Sequence, residues 1–149
     1  MNWFLGLLHN PFLLTVVAAW FSAQTLKVIT HAIAYKEFDI KRFFGDGGMP
    51  SAHTATVVSL AASVGIAYGL HTFEFAVCAI LAFIVCRDAV GVRMETGKQA
   101  QILNELRSLI ESKETVEIKL KEFVGHTPLQ VGMGALLGIA VAIVINFII

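Results

Sequence analysis

Residues 73–92 read FEFAVCAILAFIVCRDAVGV, a stretch in which only Glu74, Arg87 and Asp88 are charged. A helix of about 20 mostly apolar residues crosses the hydrocarbon core of a bilayer. Three further stretches have the same character, at residues 11–34, 52–68 and 128–149. The sequence therefore predicts an all-α integral membrane fold with about four transmembrane helices, in a single membrane domain of residues 1–149.

The composition also favours a membrane protein. Apolar residues make up 56% of the 149 positions and charged residues 15%, with a mean hydropathy of +0.74. A soluble domain carries roughly 25% charged residues, and a disordered chain has low hydrophobicity. Lys and Arg number 11, as do Asp and Glu, so no surplus of positive charge indicates a nucleic-acid partner. The two cysteines, Cys78 and Cys86, lie in an apolar run and are expected to be buried thiols.

The connections between the predicted helices differ in charge. Residues 35–51 and 93–127 carry most of the Lys and Arg, whereas the short link at residues 69–72 carries none. By the positive-inside rule, the two charged connections lie in the cytoplasm and both termini lie outside. We therefore expect a protein of the bacterial inner-membrane type, with its polar end at the cytoplasmic face.

The longer charged connection contains a second helical pattern. Between Gln99 and Ile110, apolar residues recur at helical spacing opposite a polar face. This predicts a cytoplasmic amphipathic helix. Two interpretations stay open: the helix lies in the headgroup region, or it packs on the end of the bundle.

Polar residues collect at the predicted cytoplasmic ends of the helices. Lys27 and His31 lie on one face of the first helix, and the other helix ends bring further groups to the same side: Ser51, His53, Thr54, Arg87, Asp88, Arg93, His126, Thr127 and Gln130. Polar groups at membrane depth usually face a bundle interior or a cavity. Structural alternatives stay open, such as an interfacial Lys27, a helix-capping Ser51 and a local Arg87–Asp88 pair.

This set of residues suits phosphate chemistry. The helix that follows Ser51 presents free backbone N–H groups, which form an anion site together with nearby cations such as Lys27 and Arg93. Of two histidines beside a phosphate, one can attack phosphorus and the other can protonate the leaving oxygen. Such a reaction requires no metal ion or cofactor. A zinc site is disfavoured because His53 and His126 lack short ligand spacing.

Three blocks of sequence carry a family resemblance. GGMPSAHT at residues 47–54 resembles the Pro-Ser-Gly-His motif of the type 2 phosphatidic acid phosphatase superfamily, which includes lipid phosphatases and vanadium-dependent haloperoxidases. The second block, DAVGVR at residues 88–93 followed by GKQA at residues 97–100, and the third, GHTP at residues 125–128, resemble the small divergent branch of that superfamily. Together the blocks cover most of the polar chain.

The resemblance implies a role for each matched residue. His126 would be the nucleophile and His53 the general acid, and we expect Asp88 to support the imidazole of His126. Together with the anion site described above, the expected substrate-binding residues are Lys27, Gly48, Ser51, Ala52, Arg93 and Lys98. The chain departs from the family pattern at Gln130, which stands where a carboxylate is usual.

The predicted function is a metal-independent membrane phosphatase that hydrolyses a phospholipid or polyprenyl phosphate monoester through a phosphohistidine. The alternative is a catalytically inactive protein that binds lipid phosphates or scaffolds partners. A small transporter is less favoured because the helices lack breaks at mid-depth. We expect a homo-oligomer, because four short helices leave little room to seal a polar pocket. The glycines of Gly134-x-x-x-Gly138 indicate close helix packing, either in that oligomer or within the chain.

Overall fold

The computed structural model describes residues 3–45, 47–110, 120 and 125–148, and every regular element in this part of the chain is helical. The α-helices are α1 (Trp3–Leu8), α2 (Pro11–Tyr35), α3 (Ala52–Tyr68), α4 (Phe73–Val90), α5 (Val92–Ile110) and α6 (Pro128–Ile148), with a 3-10 helix at Ile40–Phe44 between α2 and α3. The predicted all-α class is confirmed.

Side-chain caps explain where the long helices begin. The Asn10 side chain accepts hydrogen bonds from two backbone N–H groups in the first turn of α2. Ser51 caps α3, where its hydroxyl accepts the Thr54 N–H at 3.3 Å. At the start of α6, Thr127 Oγ1 accepts the Gln130 N–H at 3.3 Å and Gln130 Oε1 accepts the Thr127 N–H at 3.0 Å. This reciprocal pair is a capping box.

Within the described residues, three helical stretches are long and apolar enough to cross a membrane: Pro11–Tyr35, Phe73–Arg107 and Pro128–Ile148. The other apolar helix, α3, has 17 residues and is shorter than a usual span. Its first turn lies against the middle of α2, where Ala52 and Ala55 form a buried cluster with Ala23. Helix α3 therefore begins well below the C-terminal end of α2.

Helix α3 is central and packs on α2, α4 and α6. The contact with α6 is a close approach of two parallel backbones. A Cβ atom at Gly134 would lie 2.5 Å from the Ser51 carbonyl oxygen, and one at Gly138 would lie 2.6 Å from the Ala55 carbonyl oxygen. These two glycines thus pack within the chain, which is one of the two interpretations above. Homo-oligomer formation stays a prediction, but Gly134 and Gly138 do not support it.

The amphipathic helix is longer than predicted. Helix α5 begins at Val92, directly after Gly91 ends α4, and not at Gln99. The first seven residues of α5 have no apolar repeat, so periodicity could not detect them. Leu103 is 52% exposed and Leu106 is 49% exposed, which leaves an apolar stripe on α5 uncovered by the described part of the chain.

Candidate active site

Four of the predicted site residues line one cavity of about 230 Å³ at the ends of the helices. His53 lies in the first turn of α3, Asp88 in the last turn of α4 and Arg93 in the first turn of α5, and His126 lies two residues before α6. The ring centroids of His53 and His126 are 6.4 Å apart. The structure therefore brings together both candidate histidines and a cation.

Burial and hydrogen bonds hold His126 in place. The residue is 3% exposed, and its backbone N–H donates to the Ala89 carbonyl at 3.1 Å. Its Nδ1 lies 3.3 Å from Gln130 Oε1, which also accepts the Thr127 N–H. Because this oxygen is an acceptor, the proton of the neutral ring lies on Nδ1. The Nε2 atom then keeps a lone pair, as a nucleophile requires.

The surroundings of His126 keep its ring neutral. Burial is the main effect and lowers the pKa of His126 below its ordinary value of 6.5. The hydrogen bond with Gln130 acts in the opposite direction. The positive fields of Lys27, His53 and Arg93 lower the pKa further. Near neutral pH the imidazole is therefore unprotonated at the nitrogen that would attack phosphorus.

Gly125 allows His126 to lie beside the start of α5. A Cβ atom at Gly125 would overlap the backbone N and Cα of Met94 and would lie 2.6 Å from the carbonyl carbon of Arg93. Only a residue without a side chain fits this approach. Gly125 belongs to the GHTP motif, but the motif does not predict this contact with Met94. The available signal was a glycine directly before a candidate histidine.

Asp88 pairs with Arg93 and not, as predicted, with the imidazole of His126. Arg93 Nε donates to Asp88 Oδ2 at 2.6 Å, whereas the Nδ1 of His126 is engaged by Gln130. Both members of the ion pair are about half exposed, so the pair stabilises the fold by only about 0–1 kcal/mol. Arg87 is exposed on α4 and does not line the cavity, which favours Arg93 over Arg87 as the cation of the site.

Lys27 and Gly48 line a second cavity, of about 350 Å³. Lys27 is 3% exposed and its Nζ donates to the Gly45 carbonyl at 3.2 Å, while Gly48 has a φ of +98° beside the Lys27 stem. Gln130 lines this second cavity and also holds His126, which lines the first. The contact between Gln130 and His126 therefore joins the walls of the two cavities. Other residues of the second cavity are Thr30, His31, Arg42 and Met49.

The remaining predicted site residues have structural contacts. Ser51 and Ala52 are buried, and the Ser51 hydroxyl accepts hydrogen bonds from the Thr54 N–H and, at 3.0 Å, from the Thr54 hydroxyl. The Ser51 N–H donates to the Gln130 carbonyl at 3.0 Å, which joins α3 to α6. Lys98 forms an ion pair with Glu95 at 2.7 Å and lines neither cavity.

An apolar cavity of about 340 Å³ adjoins the Lys27 cavity, because Thr30 and Met49 line both. Its other walls come from α2, α6 and the start of α3: Leu26, Pro50, Met133, Leu136, Leu137 and Ala140. A buried cation thus lies next to a hydrocarbon-lined space. This combination fits an amphiphile with an anionic head.

The fold, the apolar spans and the relative that the chain matches define an all-α integral membrane protein. A profile of the Divergent PAP2 family matches residues 8–141, and the chain belongs to that family. It is 38% identical over 153 aligned positions to the "Uncharacterized membrane protein YuiD" of Bacillus subtilis (strain 168), with 95% of this chain and 97% of the relative covered. No solved structure gives a significant match. The resemblance predicted from the three sequence blocks is confirmed.

Proposed function

We propose that the protein is an integral membrane phosphatase that hydrolyses a lipid phosphate monoester through a phosphohistidine on His126. One observation carries the proposal: a buried His126, with Nδ1 engaged by Gln130, shares a cavity with His53 and Arg93. The cavity, of about 230 Å³, has room for a phosphate group beside the two rings. Membership of a phosphatase-related family supports the same reading.

In the first chemical step, Nε2 of His126 attacks phosphorus and the bond from phosphorus to the ester oxygen breaks. Protonated His53 donates its proton to the departing alcohol oxygen. Arg93 neutralises the charge on the phosphoryl oxygens. In the second step, the now neutral His53 removes a proton from a water molecule, which attacks the phosphohistidine. Inorganic phosphate leaves, and His126 and protonated His53 are restored.

The apolar cavity supports a lipid as the substrate. It adjoins the Lys27 cavity, so an anionic headgroup and a hydrocarbon chain would each find matching surroundings. Lys27 is buried, and its positive field acts on His126. The substrate class we propose is therefore a membrane-resident phosphate monoester with a long hydrocarbon chain, either a phospholipid or a polyprenyl phosphate.

The second candidate function is lipid-phosphate binding without turnover. Gln130 favours it, because an amide stabilises a positively charged imidazole less than a carboxylate does. Phosphoryl transfer to His126 places positive charge on that ring. A protein with this substitution would keep the anion site while its chemical step slows.

Phosphate release from a panel of phospholipid and polyprenyl monophosphates tests the proposal. We expect release by the purified protein in EDTA, inhibition by vanadate, and no release by the His126→Ala variant. His71→Ala is the matched control, since His71 is exposed on the link between α3 and α4, at the other end of the bundle. Wild-type turnover in His126→Ala would refute the mechanism. Saturable binding without release by folded protein would favour the second candidate.

A further inference from the structure

The chain reverses direction after α2. Lys36 caps the helix in the left-handed conformation, with φ of 55°. The next residues run back along α2, because the Glu37 carbonyl lies 3.4 Å from Nδ1 of His31, one turn below the end of the helix. The charged connection at residues 35–51 thus starts by descending along α2, the helix that precedes it.

The descent reaches the middle of α2. The Phe43 ring lies 5.8 Å from the Trp20 ring and 5.5 Å from the Phe21 ring, both as edge-type contacts. Phe21 precedes Tyr35, the last residue of α2, by 14 positions, which at 1.5 Å per residue is about 21 Å along the helix axis. An aromatic side chain of the connection therefore lies far below the helix end.

The chain then ascends to α3. Lys27 Nζ donates to the Gly45 carbonyl at 3.2 Å, and Thr30 Oγ1 donates to the Met49 carbonyl at 2.8 Å. The order of the contacts along α2, from Phe21 to Lys27 to Thr30, follows the ascending chain. Descending and ascending limbs together form a hairpin, residues 37–45 and 47–50, packed against α2.

Bilayer dimensions place the hairpin in the membrane. Helix α2 has 25 residues, which is about 38 Å, against about 30 Å for the hydrocarbon core. Even if the whole excess of about 8 Å projected at the Tyr35 end, Phe43 would lie on the order of 13 Å inside the hydrocarbon. We propose that residues 37–45 and 47–50 form a re-entrant hairpin whose outer face contacts the acyl chains of the leaflet on the site side.

The outer face of the hairpin carries three large apolar side chains, beside the exposed Lys41 and Arg42. Phe38 is 74% exposed, Ile40 60% and Phe44 79%, values that suit contact with lipid and not with water. One pair of charges is compensated, since Asp39 lies 3.8 Å from Arg42; the Asp39 side chain also accepts the backbone N–H of Lys41 at 2.9 Å. Long basic side chains near such a segment extend toward the headgroups.

At membrane depth, irregular backbone persists where it is buried in protein or lines a polar cavity. The inner face of the hairpin is in such a position. The Gly45 and Met49 carbonyls accept hydrogen bonds from α2, and Gly48 lines the Lys27 cavity. The hairpin therefore forms one wall of that cavity. The short α3 begins where the ascending limb of the hairpin ends.

Nitroxide depth measurements test this proposal. Full-length protein with Cys78→Ala and Cys86→Ala would carry one spin label, at Phe44→Cys or Ile40→Cys, in phosphatidylcholine–phosphatidylglycerol vesicles. Collision rates with oxygen and with a nickel chelate report depth. Lys36→Cys is the matched control at the start of the hairpin, and Val17→Cys is a lipid-facing reference on α2, where Val17 is 61% exposed.

We expect the ratio of oxygen collisions to nickel-chelate collisions to be as high for the label at residue 44 as for the label at residue 17. The label at residue 44 should lie about 10 Å or more deeper in the membrane than the label at residue 36. A label at residue 44 that meets the nickel chelate as often as the one at residue 36 would overturn the proposal. Residue 40, which lies in the same 3-10 helix as Phe44 and is 60% exposed, provides the same test if the Phe44 variant fails to fold. The readout is depth, so its outcome is independent of whether the protein turns over.

Discussion

The two polar cavities, whose walls are joined by the contact between Gln130 and His126, are built from different chemistry. The His126 cavity holds two imidazoles, a guanidinium and a carboxylate, groups that can move protons and form a bond to phosphorus. Among its described lining residues, the Lys27 cavity has the cations Lys27 and Arg42 and no carboxylate. It offers fixed positive charge next to an apolar space. The difference supports a division between a reaction cavity and a binding cavity.

The largest effects are expected in the reaction cavity. His126→Ala should reduce kcat/KM by at least about 10³-fold for every substrate, because the nucleophile is lost. His53→Ala should cost about 10²–10⁴-fold with a lipid alkyl phosphate but much less with p-nitrophenyl phosphate, whose leaving group needs no proton. Steady-state phosphate release from both substrates measures the contrast. Equal losses on both substrates would show that His53 is not the acid.

A second test displaces His126 without touching its ring. Gly125→Ala should destabilise the protein by about 1–3 kcal/mol, since the methyl group overlaps the Met94 backbone. Activity should fall about 10²-fold, which is the usual cost of a displacement near 1 Å. Gly132→Ala is the matched control, as a Cβ atom there has no neighbour within 4 Å. Thermal unfolding and turnover, measured on both variants, check the expectation. Identical behaviour of the two variants would contradict it.

The binding cavity should respond in substrate affinity. Lys27→Met removes a buried charge while keeping a similar shape, so KM for the lipid should rise about tenfold or more, with a smaller change in kcat. Lys41→Met, on the exposed 3-10 helix, provides the control. A fall in kcat at constant KM would place Lys27 in the reaction step and remove the distinction between the cavities.

The smallest expected effect is on the pH dependence of kcat/KM. Only neutral His126 attacks phosphorus, and its pKa is lowered, so the acid limb of kcat/KM should lie below pH 6.5. Gln130→Glu places a carboxylate beside the ring, favours the protonated form and should move that limb to higher pH. Glu also satisfies the capping box at the start of α6, so the fold should persist. An unshifted acid limb would show that another group controls it.

Much of the fold could be predicted because it depends on local sequence. The predicted helices at residues 11–34, 52–68 and 128–149 differ by at most one residue at either end from Pro11–Tyr35, Ala52–Tyr68 and Pro128–Ile148. Apolar runs of that length have one stable arrangement in lipid, and the caps at Asn10 and Ser51 define where helices start. The convergence of polar helix ends followed from the same topology.

The remaining features depend on contacts between distant residues. Nothing local in residues 36–50 indicates that Phe43 packs on Trp20, because a glycine-rich polar segment resembles an ordinary loop. The Asp88–Arg93 pair is an exception, since the two residues are only five positions apart; it depends on where α4 ends and α5 begins. Assignment of Gly134 to packing within the chain required the position of α3.

The pairing of α3 with α6 has a consequence for how the site operates. Gly134 meets Ser51, and the Asn146 side chain donates to the Ser63 hydroxyl at 3.0 Å; both pairs are separated by the same 83 positions (134 − 51 and 146 − 63). His53 belongs to one of these helices and His126 immediately precedes the other. A slip of one helical turn would move them by about 5.4 Å, close to their full separation. We therefore expect α3 and α6 to hold both imidazoles at a fixed separation, and any motion that admits the proposed substrate to occur in α2, its hairpin or α4.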